Sequence, residues 1–205
     1  PKDLNNNFIN NSKNHFYISH RVNNKLKQFQ NIFFLTPLSK KRYFYADILP
    51  FQNEKIRSKI PIYIIQGNIS LKRRDFHLLF KILSKKYKHK FKIKIIGKGN
   101  FSRYLLKKFK NILIFKKNLN FIDYHKQFLD AYCILPLTNK KKTPQYYSTT
   151  LTSSINYIKG YNLKCIIDKN LQNIYKIENA FVFNNINNIQ RIFERSLNYF
   201  YKRNN

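Results

Sequence analysis

The 205-residue sequence contains no Met and no Trp, four Gly, two Cys, and nine acidic residues against forty basic ones. Each shortage excludes something. A chain that lacks Met and opens at Pro1 reads as a piece excised or processed from something longer, so part of a functional site can lie outside it. Two Cys without a nearby His make no zinc site. Cys133 and Cys165 lie in the apolar runs AYCIL and LKCII and read as small buried hydrophobes in a reducing compartment, not as a disulfide. No apolar stretch approaches the ~20 residues of a membrane span, and the start PKDLNNNFINN has no apolar signal core. The expectation is a soluble, cytoplasmic piece. His15, His20, His77, His89 and His125 are scattered, with His20 at a linker edge, and no Ser-His-Asp or Cys-His arrangement stands among them. The acids form no metal pair, and Asp123 and Asp130 read as the solvated face of one helix.

What is present is positive charge and aromatic bulk. The net charge is +31, and hydrophobic residues make up 43% of the chain, enough for a core. A charge of this size fits a polyanionic partner: nucleic acid, an acidic membrane or a phosphorylated ligand. It also fits composition alone. The chain is crowded with Asn, Lys, Ile, Tyr and Phe, whose codons are AT-rich, and we assign most of the charge to that bias.

Residues 1–14 are polar and Asn-rich, a loose lead-in. Residues 15–60 hold short apolar runs punctuated by Pro37, Pro50 and Pro61, and 1–60 together read as a linker or the remnant of a preceding domain. From Pro61 the pattern becomes regular. PIYIIQG, FKIKIIGKG, NILIF, YCILPL, LKCIID and AFVFN are short continuous apolar runs, the pattern of parallel strands buried on both faces. Between them lie helical patterns: DFHLLFKILSKKY, FSRYLLKKFK, FIDYHKQFLDA, TSSINYIKGYN and the closing NIQRIFERSLNYFYKR. Alternating strands and helices predict an α/β fold, a doubly wound Rossmann-like parallel sheet over residues 61–205 preceded by an irregular segment.

In such sheets ligands bind at the carboxyl ends of the strands. That edge receives Gly67 and Asn68 after the first strand, then Arg73 and Arg74, and Gly97, Lys98 and Gly99 after the second. The loop after the fourth strand brings Tyr147 and the helix-opening Thr152, Ser153 and Ser154. Glycines let backbone approach a ligand, arginine forks match a diphosphate, and hydroxyls at a helix N-terminus attract an anion. Each feature also has a plain use in turns, caps or solvated surface. GKG is not a GxGxxG fingerprint, and there is no Walker loop. Their shared edge is the signal.

IIQGNISLKRRDF, IKIIGKGNF and YYSTTLTSSINYIKGYNLKCIID together resemble the C-terminal, donor-binding half of GT-B glycosyltransferases, nearest the retaining, nucleotide-sugar-dependent group 1 enzymes. The resemblance covers about Pro61 to Phe183. It implies a metal-independent transferase without a cofactor, taking a nucleotide-sugar donor and a sugar or glycan acceptor, with no metal site. It implies contact of Gly67, Asn68, Gly97, Lys98 and Gly99 with the donor, and a catalytic role for Arg73 and Arg74 at its diphosphate. Lys116 to Phe121 would lie near the base, Phe121 contacting it, and Tyr147, Thr152, Ser153 and Ser154 would line the phosphate side. The acceptor, and any catalytic base, would belong to an N-terminal domain, so the piece alone would bind donor without turnover. One departure stands out. The family's E-x(7)-E segment, whose second Glu meets the donor ribose, is replaced here by Lys140–Asn162, which contains no Glu. Two alternatives remain: a basic nucleic-acid-binding module, disfavoured because the bases alternate with core positions, and an inactive scaffold on the same fold.

Overall fold

The computed structural model describes residues 17–19, 21–22, 32–39, 43 and 55–204. The lead-in at 1–14, His15 and His20 lie outside the described residues. Two short strands, β1 (Tyr17–Ser19) and β2 (Ile32–Phe34), pair in parallel. The six-strand sheet then uses β3 (Ile62–Ile69), β4 (Lys92–Gly99), β5 (Leu113–Lys117), β6 (Cys133–Ile134), β7 (Lys164–Asp168) and β8 (Ala180–Phe183). All pairings are parallel and the order is β5-β4-β3-β6-β7-β8. The chain steps outward from β3 to β5, returns to β6 on the other side of β3, and steps outward again. That reversal makes a topological switch point between β3 and β6.

Among the described residues six α-helices cover the sheet: α1 (Phe76–Ser84), α2 (Arg103–Lys108), α3 (Phe121–Lys126), α4 (Ser153–Gly160), α5 (Lys169–Tyr175) and α6 (Ile189–Asn204). Alternation along β3 decides which face each packs on. Tyr63 and Ile65 point to one core, shared with Leu79 and Ile82 of α1 and Phe193 and Leu197 of α6. Ile64 points to the other, shared with Phe128, Ile155 and Ile158 of α4, and Leu171 of α5. Tyr63 is fully buried, packs against Phe193 with tilted rings 4.5 Å between centroids, and meets Ser196 Oγ at 2.6 Å with its hydroxyl.

All six expected strands of the domain form. Three details differ from the sequence reading. The fourth strand shortens to Cys133–Ile134 as the chain approaches Pro136, which has no N–H to give a ladder. A helix, α5, occupies Lys169–Tyr175, where none was expected; Asp168 caps it by accepting from the N–H groups of Asn170 and Leu171. Asp130 is not on a solvated helix face. α3 ends at Lys126, and Asp130 instead takes an ion pair from the mostly buried Lys94 at 2.6 Å. Cys133 and Cys165 stand on adjacent strands yet are free thiols. Burial raises both pKa values, that of Cys165 to about 12, so they stay protonated and unreactive at neutral pH.

The described parts of residues 1–60 rest on this domain. Val22 N–H donates to the Thr149 carbonyl at 2.7 Å, beside an Arg21–Thr150 bridge, and Ile56 N–H donates to Leu129. No helix among the described residues is long and apolar enough to cross a membrane.

Candidate functional site

At the carboxyl ends of β3 and β4 the ladder continues through Gly67 with Gly97, Asn68 with Lys98 and Ile69 with Gly99, the last two pairs beyond the registers of β5 and β6. The glycines take positive φ values there. A Cβ on Gly97 would stand 1.8 Å from the Gly67 carbonyl oxygen, and one on Gly99 would stand 2.4 Å from that of Ile69. Gly67 leaves room for a side chain: a Cβ would sit 2.9 Å from Arg74 Nη2. The glycines thus have a use inside the fold, the close approach of one strand to the next and to a guanidinium. A cleft of about 300 Å³ opens over the first two, lined by Gly67, Asn68, Gly97, Lys98, Asn118, Leu119 and Tyr124, while Gly99 lies outside its lining. Among the described residues of this lining Lys98 alone is charged.

Arg74 lies in the switch-point crevice. It is 4% exposed, and its Nη atoms donate to the carbonyl oxygens of Pro136, beyond β6, and Gln66, in β3. Its Nε is buried without a partner, and no acid pairs with it among the described residues. Burial lowers its pKa. The neighbouring Asp75 is already committed: it caps α1 and takes Lys142 at 2.7 Å and Asn139 at 2.9 Å. A buried cation held only by carbonyl dipoles is left short of negative charge. Leu137 supports the arrangement from an unusual backbone position, φ 49°, with its carbonyl accepting from Asp75 N–H at 2.6 Å. A left-handed leucine costs about 1–2 kcal/mol, the kind of strain that collects at ligand sites.

Gln66 joins the walls. It is 2% exposed, and its Nε2 donates to Ser153 Oγ at 3.1 Å and Ser154 Oγ at 3.0 Å at the start of α4. Its Oε1 accepts from the Tyr124 hydroxyl at 2.7 Å, and Tyr124 is a wall of the cleft. Burial pushes the Tyr124 pKa up, so its phenol stays protonated and able to donate.

The remaining expected residues fall in different places. Arg73 is exposed, with Nη1 3.5 Å from the Tyr146 hydroxyl. Thr152 sits at the cap position of α4 but its side chain makes no cap bond, while Ser153 is exposed and Ser154 buried. Tyr147 is buried, and its hydroxyl donates to Asp168, with Thr138 nearby. Phe121 is 68% exposed and packs on His125 at 4.4 Å. Asn118 and Leu119, within the stretch expected near a base, do line the cleft. The sequence places Gln66 at this edge, just before Gly67, without giving it a role, and it does not single out Tyr124. Gln66 had one visible signal, a single polar residue in the apolar run PIYIIQG. Among the described residues no His, Cys, Asp and Glu cluster could hold a metal ion.

His125 anchors the aromatic side of the site. Its Nδ1 meets the Tyr161 hydroxyl, and burial lowers its pKa from 6.5. A depressed histidine favours the neutral form in the fold, so its stabilising contribution is complete above pH 6.5 and is lost as pH falls. The melting-temperature advantage of the wild type over His125→Gln should therefore shrink as pH drops from 7.5 to 5. A growing advantage would contradict the assignment.

A second, larger cleft of about 1030 Å³ lies at the opposite edge of the sheet. Lys85, Lys86, Lys88, Lys90, Lys92 and Lys108 line it together with Phe91 and Ile112, with no acid among the described residues of the lining. The basic residues are thus less evenly spread than the sequence suggested.

No protein-family model matches the chain, and no curated protein matches it. Solved structures do. WaaG, a glycosyltransferase involved in lipopolysaccharide biosynthesis, matches with TM-score 0.50 and 11% identity over 84% of this chain and 50% of its own. WaaB, a lipopolysaccharide outer core galactosyltransferase in its apo form, matches with TM-score 0.50 and 11% identity over 90% of this chain and 53% of its own. TarM matches with TM-score 0.50 and 17% identity over 83% of this chain and 33% of its own. The chain spans about half the length of the first two. At these identities the likeness is one of fold: the chain has a GT-B glycosyltransferase-like fold, built as one Rossmann-like half.

Proposed function

We propose that the chain is the donor-binding half of a glycosyltransferase, holding a nucleotide-sugar by its diphosphate at the carboxyl edge of the sheet. The observation that carries this reading is Arg74: a buried guanidinium at the switch point, with an unpartnered Nε and no acidic counterpart among the described residues. A diphosphate would supply the missing charge. Gly67, Asn68, Gly97, Lys98, Asn118, Leu119 and Tyr124 would hold the adjoining nucleoside and sugar, and Ser153 with the α4 N-terminus would meet the phosphates. In transfer, the nucleoside diphosphate leaves with the electrons of the sugar–phosphate bond. Arg74, Lys98 and the α4 N–H groups would stabilise the charge that develops on its oxygens. The division at residue 60, the sugar or glycan acceptor on a partner half, absence of a metal from the chemistry, and a cytoplasmic setting belong to the same proposal. So does the expectation that residues 1–205 alone bind donor without turning it over.

Calorimetric titration with UDP, GDP, ADP and dTDP, beside the matching nucleosides, tests the reading. One diphosphate is expected to bind with one-to-one stoichiometry at physiological salt, far more tightly than its nucleoside. Equal, salt-labile binding of all four would count against it.

A second reading rests on the lysine-lined cleft at the opposite edge. Exposed Lys86, Lys88 and Lys90 alternate with the half-buried Tyr87 and His89, an arrangement that suits a nucleic-acid strand. Salt-sensitive oligonucleotide binding that Lys86, Lys88 and Lys90 reversed to Glu abolish would favour it.

A further inference from the structure

We propose that Gln66 sets the hydrogen-bonding polarity of the ligand site, making Ser153 a committed donor toward an acceptor-only group such as an ionised phosphate oxygen. The inference rests on the donor reading above and specifies what within the site enforces it.

A primary amide has two N–H hydrogens and one carbonyl oxygen, and a serine hydroxyl has one hydrogen with lone pairs to accept on. Gln66 faces three hydroxyls: Ser153, Ser154 and Tyr124. With Nε2 toward the serines, each amide hydrogen meets one serine oxygen, and Oε1 meets the tyrosine O–H. Every group of the amide is then satisfied. With the amide reversed, both serines would have to give their hydrogens to Oε1, and one amide hydrogen would have only Tyr124 while the other had none. At 2% exposure an orphaned amide hydrogen forfeits its bond to water with nothing in return, so the first orientation is the stable one.

The consequence falls on the serines. Ser153 Oγ accepts from Gln66, so its own hydrogen is not used in that bond. Ser153 is exposed, and none of the hydrogen bonds among the described residues has its hydroxyl as donor. Its hydrogen is available to an incoming ligand, at the opening of α4 and one glutamine away from Arg74. The same glutamine holds Arg74 through its backbone carbonyl and Tyr124 through its amide. One residue therefore orients a hydroxyl donor, positions a cation and fixes a cleft wall. A site so biased accepts deprotonated phosphate and disfavours a neutral hydroxyl or amide that must itself donate. Gln66 is a positioning residue, since it acts through Ser153 and Arg74.

Gln66→Glu reverses the polarity with little change in shape. A carboxylate can only accept, so both serine hydrogens turn inward and negative charge enters beside Arg74. Affinity for inorganic pyrophosphate and for the best-bound nucleoside diphosphate is expected to fall about 30- to 100-fold, the range of one or more charge-assisted bonds. Affinity for the matching nucleoside should change less than about threefold. Ser153→Ala should cost about tenfold in the wild type and almost nothing on top of Gln66→Glu, because the hydrogen it removes is already turned away.

The outcomes separate cleanly. If the wild type binds neither pyrophosphate nor any nucleoside diphosphate, the donor reading falls and this inference with it. If the wild type binds and a folded Gln66→Glu binds as well, the inference alone is overturned. Equal losses of nucleoside and diphosphate would reduce Gln66 to a structural role and also overturn it. Should Gln66→Glu fail to fold, the exposed Ser153→Ala decides: unimpaired pyrophosphate binding in that variant refutes Ser153 as donor.

Discussion

Arg74→Ala is expected to lower affinity for a nucleoside diphosphate at least about 100-fold, the largest binding effect of any single substitution in the domain. Each charge-assisted bond from a guanidinium contributes about 1.5–3 kcal/mol, and here it would act in a crevice screened from water. The change reaches further than the ligand. The Gln66 and Pro136 carbonyls lose the donor that joins β3 to the chain beyond β6. Removal of an uncompensated buried charge offsets part of that loss, so the apoprotein should melt near the wild type while ligand-induced stabilisation disappears. Arg74→Lys keeps the charge but loses the planar fork, and should fall between the two. Equilibrium titration with the diphosphate is the check. Arg74→Ala binding within twofold of the wild type would remove the main support for the site.

Gly97→Ala should have the largest effect on stability, at least about 3 kcal/mol, combining overpacking with a disfavoured φ. The contact it would create is with backbone. The new Cβ would lie 1.8 Å from the Gly67 carbonyl oxygen and 2.8 Å from its carbonyl carbon, at φ 144°. A flexible side chain can move aside, but a neighbouring strand cannot without losing the extended β3–β4 pairing. For a domain of this size the melting temperature should drop by roughly 10 °C. Gly67→Ala meets the end of the Arg74 side chain instead, so it should disturb ligand binding more than it disturbs the fold. Parallel melts and titrations of the two variants distinguish these roles. A Gly97→Ala variant as stable as the wild type would mean the strands are not held this closely.

The fold was legible in the sequence because its strands are buried on both faces and therefore read as unbroken apolar runs: PIYIIQG and LKCIID announce themselves without alternation. The short helix α5 was not, since seven residues with Leu171, Ile174 and Tyr175 as the apolar stripe give too little periodicity to separate from a loop. Its Asp168 cap was the usable sign. Asp130 misled for a related reason: spacing along an assumed helix says nothing once the helix stops at Lys126. At the site, the edge was legible from connectivity, and Gly67, Asn68, Gly97 and Lys98 do line one cleft. Side-chain partnerships were not. Arg73 and Arg74 are equivalent on paper, and only packing makes the first exposed and the second buried. Tyr147 faces the right loop yet donates its hydroxyl to Asp168. Gln66 becomes meaningful only when three hydroxyls from distant parts of the chain converge on it.

A nucleotide-sugar held at this edge of the sheet by its diphosphate would stabilise the folded chain. The direct test is thermal melting of the chain with UDP-, GDP-, ADP- and dTDP-linked sugars, and with a short single-stranded oligonucleotide, at low and physiological salt. A ligand at one hundred times its dissociation constant adds ~2.7 kcal/mol of stability. A diphosphate site gives a shift of that size from one nucleotide class, retained at physiological salt and absent in Arg74→Ala. Stabilisation by the oligonucleotide alone, fading with salt and indifferent to Arg74, would contradict it.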